Sequence, residues 1–268
     1  MLKRTLAALV LAAIGIPAVI LGGLYFFILI GALLGISAWE YGRIFRSANY
    51  HASTPILVGG VLLIFGTRVY FPDLAPAALT LSVLAAMTWH LVDYEKGRDP
   101  AATDFTVTIG GVIYIGWIGS YLFDLRALEN GVWWFFIVLF SVWLADSFAY
   151  FIGTRFGKHK MTPRLSPKKS WEGYWGGVVC ATLGMAGLVL LFHRFGGPAL
   201  TWWQGALLGA ALSILTTLGD LGESMLKRQA GVKDSSHIIP GHGGVFDRID
   251  SWIWGAALGY FIITWFLI

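Results

Sequence analysis

The stretch of sequence between residues 220 and 250 reads D-L-G-E-S-M-L-K-R-Q-A-G-V-K-D-S-S-H-I-I-P-G-H-G-G-V-F-D-R-I-D. It holds five acidic residues and four lysines or arginines. The segments around it, Trp202–Leu218 and Val245–Ile268, are apolar enough to cross a membrane. Ionisable groups at the ends of membrane helices are costly to keep there, so by default they mark a functional site. This stretch therefore predicts a membrane fold and the position of its site.

The composition of the whole chain agrees with that prediction. Of its 268 residues, 57% are hydrophobic and only 13% are charged, whereas soluble proteins carry about 25% charged residues. The mean hydropathy is +0.70. The formal net charge of +4 suits an anionic leaflet and anionic substrates better than nucleic acid. The single cysteine, Cys180, excludes an intramolecular disulfide. We expect an all-α polytopic integral membrane protein.

Nine apolar segments approach the length of about 20 residues that a membrane helix needs. With nine spans, sixteen of the nineteen lysines and arginines lie on one side of the membrane. The positive-inside rule then places the N-terminus in the cytoplasm and the C-terminus outside. The segments are roughly Leu6–Leu21, Leu24–Ile44, Thr54–Phe71, Ala75–Val92, Phe105–Phe123, Trp133–Phe156, Tyr174–Phe195, Trp203–Lys227 and Val245–Ile268.

The two parts of the chain differ in their chemistry. We expect residues 1–131 to form a scaffold of lipid-facing transmembrane helices, and residues 132–268 to hold the catalytic helices and cytoplasmic loops. Glu40 lies among aromatic residues at the end of the second segment, and we interpret it as an interfacial acid paired with an arginine. His90 and Asp93 also fit an interfacial position. None of these three residues receives a catalytic role.

The second part contains an acid within an apolar run. Asp146, Tyr150 and Gly153 share one helix face because they are spaced by four and then three residues. A carboxylate at this depth must face a polar cavity or a partner. Two interpretations stay open: Asp146 forms a hydrogen bond between helices, or it lines the same cavity as the later acids.

A basic loop follows, from residue 155 to residue 169. Pro167 predicts a turn, and Ser170 predicts the N-cap of the next helix. Lys168 and Lys169 precede that N-terminus directly, and free backbone N–H groups beside cationic side chains suit a phosphate group. The same loop also fits a plain cytoplasmic basic loop that binds anionic lipid.

The charged stretch itself predicts a metal and phosphate site. Asp247 and Asp250 lie one turn apart at the start of the last segment, and a glycine-rich loop, Pro240–Gly244, precedes them. Carboxylates on two helix ends suit Mg²⁺, which binds one or two carboxylates together with substrate phosphates. The alternative is a set of structural ion pairs, for example between Asp247 and Arg248. Four further residues share one face at the end of the eighth segment: Asp220, Glu223, Ser224 and Lys227.

Residues 224–250 resemble the signature of phosphatidate cytidylyltransferases (CDP-diacylglycerol synthases). The strings K-R, K-D, P-G-H-G-G and D-R-I-D all fall in register with it. Two upstream strings, D-S-F-A-Y-F-I-G at 146–153 and S-P-K-K-S-W-E-G at 166–173, resemble the accompanying motifs of the family. The first half of the chain is similar in hydropathy only. Residues 235–237 receive no role.

The resemblance implies that CTP reacts with phosphatidate to give CDP-diacylglycerol and pyrophosphate. It implies Mg²⁺ as the cofactor, with Mn²⁺ as a substitute and K⁺ as a second cation. Asp220 and Asp247 are expected to hold the metal, with Asp250 as a further metal ligand or supporting acid, and Lys227 matches another catalytic position. The expected substrate contacts are Lys168, Lys169, Ser224, Arg228, Lys233, His242, Arg248 and Asp146.

We expect the protein to lie in the inner (cytoplasmic) membrane of the cell, surrounded by membrane lipids, with its site on the cytoplasmic side. No nucleic acid is expected as a partner, and a homodimer is left open. A kinase of lipid alcohols such as polyprenol or phytol would also need a site for a metal and a nucleotide at the membrane. The intact H-G-G-V-F-D-R-I-D string argues against this alternative. An anion transporter would show internal repeats and charges near the middle of the membrane, whereas these charges cluster at helix ends.

Overall fold

The computed structural model describes residues 2–239 and 243–268, with residues 2–8 described by their backbone alone. Within those ranges the chain forms ten α-helices and one two-stranded antiparallel hairpin. A π-helical segment, Val112–Ile118, connects α5 and α6, and a 3-10 turn, Pro72–Leu74, precedes α4. The helices are α1 (Leu2–Leu21), α2 (Gly23–Ser47), α3 (Thr54–Tyr70), α4 (Ala75–Glu95), α5 (Ala101–Gly111), α6 (Tyr121–Ala127), α7 (Gly131–Phe156), α8 (Trp171–Arg194), α9 (Trp202–Gln229) and α10 (Phe246–Phe266).

Six helical segments of the described chain are long and apolar enough to cross a membrane. Two shorter apolar helices, Leu9–Leu21 and Thr54–Tyr70, accompany them. The protein is therefore a helical, multi-pass membrane protein, while the predicted number of nine spans is not confirmed. The six segments are Gly23–Ser47, Pro72–Glu95, Ala101–Ala127, Gly131–Phe156, Trp171–Arg194 and Trp202–Gln229.

The chain divides into two compact units. The first contains residues 1–123 and 226–249, and the second contains residues 124–225 and 250–268. Both α9 and α10 therefore contribute residues to each unit. The predicted division at residue 131 separates scaffold helices from catalytic helices by the chemistry of their residues and not by their packing. It stays a prediction.

In the first unit, α2 packs through a face that repeats every four residues. Phe26, Ile30, Leu34 and Ala38 are all buried along this face. Side chains four apart lie one above another on a helix, so a single continuous stripe meets the neighbouring helix. Phe65 of α3 joins this core, and its ring stacks on Phe27 with centroids 4.9 Å apart. The next turn of the same helix carries Glu40.

In the second unit, small residues let helices approach closely. A Cβ atom on Gly177 of α8 would lie 2.5 Å from the backbone oxygen of Ala145 on α7. A Cβ atom on Gly219 of α9 would lie 2.8 Å from the backbone oxygen of Asp250 on α10. Lipid supplies little hydrophobic drive between membrane helices, so close backbone approach at small residues stabilises their packing. The contact at Gly219 brings α9 against α10 beside two of the predicted metal ligands.

The basic loop forms a hairpin that the sequence did not predict. Strand β1 (Lys160–Thr162) pairs with β2 (Ser166–Ser170), with Lys160 opposite Ser170. Residues 163–165 form the turn, so the turn predicted at Pro167 is wrong, because Pro167 lies inside β2. The predicted N-cap is confirmed: the hydroxyl of Ser170 accepts a hydrogen bond of 3.2 Å from the N–H of Gly173.

Candidate functional site

Three carboxylates come together in the second unit. Asp220 and Glu223 of α9 and Asp250 of α10 each place one oxygen within 4.8 Å of the other two. Glu223 is 1% exposed and Asp250 is 7% exposed. The spacing of three residues places Asp220 and Glu223 on one face of α9, and Gly219 lets α10 approach that face. Carboxylates crowded in a partly buried place repel one another, so this group suits a divalent cation.

A lysine from the hairpin joins this group. The ammonium of Lys169 lies 2.6 Å from Asp220 Oδ2, and the hydroxyl of Ser224 donates to Asp220 Oδ1 at 3.3 Å. Asp146 of α7 lies within electrostatic range of both Lys169 and Asp220. The structure thus brings five predicted site residues together in the second unit: Asp146, Lys169, Asp220, Ser224 and Asp250. Lys168, the neighbour of Lys169 on β2, is exposed.

The position of the hairpin depends on the first turn of α8. The carboxylate of Glu172 accepts hydrogen bonds from the backbone N–H groups of Lys158 and His159, both at 3.1 Å. Its oxygen Oε1 also lies 2.5 Å from the His159 ring. Together with the Ser170 cap, these contacts bind both ends of the hairpin to one helix N-terminus. The direction of Lys169 is therefore set by backbone contacts rather than by a free loop.

A second group of contacts lies in the first unit, around Asp247 of α10. Lys227 donates to Asp247 Oδ1 at 2.6 Å, and the side chains are only 11% and 6% exposed. Asp247 Oδ2 accepts from the N–H and the hydroxyl of Ser235, each at 3.0 Å, and from the N–H of Gly244 at 2.7 Å. Asp247 therefore contacts the chain before the glycine-rich loop, at Ser235, and the last residue of that loop, Gly244.

The surroundings of Glu40 differ from those that the sequence predicted. Its side chain is 0% exposed, and it accepts hydrogen bonds from the hydroxyls of Ser235 and Ser236 and from the N–H groups of Val245 and Phe246. The expectation of an interfacial acid paired with an arginine is wrong, because a folded loop 195 residues away covers the carboxylate. The paired serines 235 and 236 also have a role that the sequence analysis did not assign.

A cavity of about 420 Å³ lies in the first unit beside this loop. Its buried wall is formed by Ser235 and Ser236, and its rim carries the cationic Arg43 and Lys233. Lys233, a predicted substrate contact, lies on the rim of this cavity, and its role stays a prediction. The lining residues are Arg43, Ile44, Ser47, Val232, Lys233, Asp234, Ser235, Ser236 and His237.

Three predicted substrate contacts remain: Arg228, Arg248 and His242. Arg228 and Arg248 are exposed, and Arg228 donates to the backbone oxygen of Val232 at 3.4 Å. His242 lies outside the described residues. Glu223 was not among the predicted metal ligands, although its spacing from Asp220 was already visible in the sequence. Glu40 gave no comparable signal, because its partners lie far away along the chain.

Comparison with known proteins gives one consistent result. A family model described as "Cytidylyltransferase family" matches residues 2–266. A protein of Pseudomonas aeruginosa named phosphatidate cytidylyltransferase is 39% identical over 264 residues, which cover 93% of this chain and 92% of the relative. A protein of the same name from Haemophilus influenzae is 34% identical and covers 99% of both chains. Another from Mycobacterium tuberculosis is 32% identical over 85% of this chain and 72% of the relative.

Proposed function

Because the chain belongs to the cytidylyltransferase family, we propose that it is the enzyme that converts CTP and phosphatidate into CDP-diacylglycerol and pyrophosphate. The match extends over nearly the whole chain, and relatives that carry the name of this activity share 30–39% of its residues. The observation that carries the proposal is the meeting of Asp220, Glu223 and Asp250 with Lys169 beside them. This arrangement suits a reaction between two anionic phosphates.

The metal in this proposal is Mg²⁺, with Mn²⁺ as a substitute. Asp220, Glu223 and Asp250 fit such an ion, because hard cations prefer carboxylate oxygens and these three side chains converge within 4.8 Å. A bound Mg²⁺ would polarise phosphate oxygens and reduce charge repulsion between the substrates. Asp247 remains a predicted metal ligand, and K⁺ remains a predicted second cation.

The chemistry requires a nucleophile that is already charged. An oxygen of the phosphatidate phosphate attacks the α-phosphorus of CTP, the bond to the β-phosphate breaks, and pyrophosphate leaves with the electron pair. Because the attacking phosphate is anionic, no strong general base is needed. The barrier comes mainly from charge repulsion and positioning, so cationic side chains and fixed geometry contribute most to the rate.

The lysines and arginines of the site provide that positioning. Lys169 is proposed to move from Asp220 to a substrate phosphate when the substrates and metal bind, and the exposed Lys168 extends the same phosphate-binding surface. Lys227, Arg228 and Arg248 are proposed to neutralise the triphosphate or the lipid phosphate. Asp146 and Ser224 would keep Lys169 and Asp220 oriented through the contacts described above.

The membrane setting completes the proposal. Nine spans, a cytoplasmic N-terminus and an external C-terminus place every proposed site residue on the cytoplasmic side, where CTP is available. The acyl chains of phosphatidate then remain in the lipid of the inner membrane, and only the headgroup reaches the site. A homodimer is part of the same proposal.

The proposal is tested by pyrophosphate release from purified protein in detergent, with CTP and phosphatidate, with Mg²⁺ and after chelation. We expect release only when both substrates and Mg²⁺ are present, and loss of release in Asp220→Asn. The matched control is Asp73→Asn, because Asp73 is an exposed acid in the 3-10 turn before α4. Formation of CDP instead of pyrophosphate from CTP and a polyprenol, without turnover of phosphatidate, would instead assign the protein to the lipid-alcohol kinases.

A further inference from the structure

Glu40 is an acid in the part of the chain that was expected to be scaffold, yet its contacts lead to the catalytic stretch. Its carboxylate lies within hydrogen-bond distance of four donor groups: Ser236 Oγ at 2.5 Å, Phe246 N at 2.7 Å, Val245 N at 3.0 Å and Ser235 Oγ at 3.1 Å. A carboxylate with no exposed surface is costly unless donors replace its water. Four donors from one folded segment provide that replacement.

Two of these donors lie at the start of α10. The first N–H groups of a helix have no partner within the helix and carry partial positive charge. Glu40 binds the N–H groups of Val245 and Phe246 there, so a residue of α2 acts as a cap for α10. The direction in which α10 leaves the glycine-rich loop is therefore anchored by Glu40. Asp247 is the second residue of this helix.

Ser235 connects Glu40 with Asp247 by a second route. Its hydroxyl lies 3.1 Å from Glu40 Oε2 and 3.0 Å from Asp247 Oδ2, so one hydroxyl is within hydrogen-bond distance of both carboxylates. Ser236 contacts Glu40 in the same way but donates to Asp247 in no described contact. The two neighbouring serines thus form a natural pair for comparison.

The geometry of Gly244 shows how little freedom this arrangement has. A Cβ atom there would overlap with Ser235 Oγ and would lie 2.5 Å from Glu40 Oε1. Even one methyl group would displace the carboxylate or the serine, because real Cβ contacts do not approach so closely. Gly244 is the second glycine of the G-G pair. Its lack of a side chain is what lets Glu40 and Ser235 approach the backbone so closely.

We propose that Glu40 is a positioning residue for the reaction: it holds Ser235 and the first turn of α10, and thereby fixes the orientation of the Asp247 carboxylate. The inference rests on the proposed function, in which Asp247 takes part in catalysis. Glu40 touches no substrate in this scheme. It acts entirely through the loop and the helix N-terminus.

The first test compares Ser235→Ala with Ser236→Ala. Each variant removes one hydroxyl from Glu40, but only the first also removes a contact to Asp247. We expect kcat to fall about tenfold in Ser235→Ala and less than about twofold in Ser236→Ala, with the KM for phosphatidate unchanged in both. Equal kcat values in the two variants would overturn the inference, because a purely structural role for Glu40 does not distinguish the serines.

The second test is a double-mutant cycle between Glu40→Gln and Ser235→Ala. In either orientation, the amide introduced by Glu40→Gln would place its NH₂ group against a backbone N–H that cannot accept, that of Val245 or that of Phe246. This variant should therefore lower kcat by at least about tenfold. If Glu40 acts through Ser235, the double variant should lose no more activity than Glu40→Gln alone, because residues in one network are not additive. Fully additive losses would contradict the proposal.

The third test does not depend on activity. Amide hydrogen exchange is measured on wild type and Glu40→Gln in detergent micelles. The N–H groups of Ser235 and Gly244 bind Asp247 and not Glu40, so we expect their exchange to accelerate only if Glu40 controls Asp247. Faster exchange confined to Val245 and Phe246 would overturn the inference. If wild type lacks turnover, the proposed function fails while this readout still decides the role of Glu40.

A folding failure of Glu40→Gln leaves the proposal testable. The thermal melting of each variant is recorded first, and a variant that does not fold is excluded from the kinetic comparison. The two serine variants then carry the kinetic test, and hydrogen exchange of Ser235→Ala replaces that of Glu40→Gln. In that case, unchanged exchange at Gly244 would contradict the proposed link between Ser235 and Asp247.

Discussion

The carboxylates of the two units have different surroundings. In the second unit, Asp220, Glu223 and Asp250 converge on one another, and Lys169 contacts this group through a partly exposed ion pair. In the first unit, Asp247 is surrounded by a lysine, a serine hydroxyl and two backbone N–H groups. Glu40 is surrounded by two serine hydroxyls and two backbone N–H groups. Crowded carboxylates provide a place for a cation. Carboxylates surrounded by donors hold a loop in place.

This comparison separates residues that serve the chemistry alone from residues that also hold the fold. If it is correct, substitutions in the first group of residues should remove activity and leave the fold intact. Substitutions in the second group should also lower the free energy of unfolding, because they break buried contacts.

The largest effect is expected for Asp250→Asn. This substitution keeps the size of the side chain but removes one negative charge from the proposed metal site, and turnover should fall by at least about a thousandfold. The protein should elute from gel filtration and melt as wild type does without Mg²⁺. Pyrophosphate release near the wild-type rate would remove Asp250 from the metal site.

The next largest effect is expected for a matched pair of lysine substitutions. Lys227→Met leaves Asp247 without its buried lysine, so the free energy of unfolding should fall by about 3 kcal/mol. Lys169→Met breaks a pair whose side chains are 25% and 35% exposed, and it should cost less than about 1 kcal/mol. Denaturation in mixed micelles measures both. Equal losses of stability would mean that the two ion pairs do not differ as their burial indicates.

A smaller effect is expected for Glu223→Gln. Glu223 completes the carboxylate group, so its loss should raise the Mg²⁺ concentration for half-maximal activity about tenfold, while saturating Mg²⁺ restores most of kcat. Titration of pyrophosphate release with Mg²⁺ measures this shift. The result would be contradicted by an unchanged Mg²⁺ requirement, which would assign Glu223 to structure alone.

The smallest effect is expected for Ser170→Ala at the end of the hairpin. Loss of the N-cap should reduce stability by about 1 kcal/mol. Because the cap also fixes the hairpin that carries Lys169, the KM for CTP should rise about twofold to threefold. Ser166→Ala, at the start of β2 and away from the cap, serves as the control. Equal behaviour of the two variants would show that the hairpin needs no cap.

The sequence predicted much of the site because its signals are local. The spacing of Asp220, Glu223 and Ser224 already places them on one helix face, and Ser170 before an apolar run predicts an N-cap. The resemblance in residues 224–250 indicated the family that the comparisons then established. The hairpin was missed since its short polar strands show no clear alternation, and a proline in β2 suggested a turn instead.

The class of protein, the family and the faces of individual helices could all be predicted from the sequence, because hydropathy, motif and helical spacing are properties of neighbouring residues. Which carboxylates meet and which are surrounded by donors became clear from the three-dimensional fold alone. Gly219 lets α10 approach Asp220, and Ser235, 195 residues along the chain, reaches Glu40. Helix spacing carries no information about such distant partners, and the ionic environment of each acid depends on them.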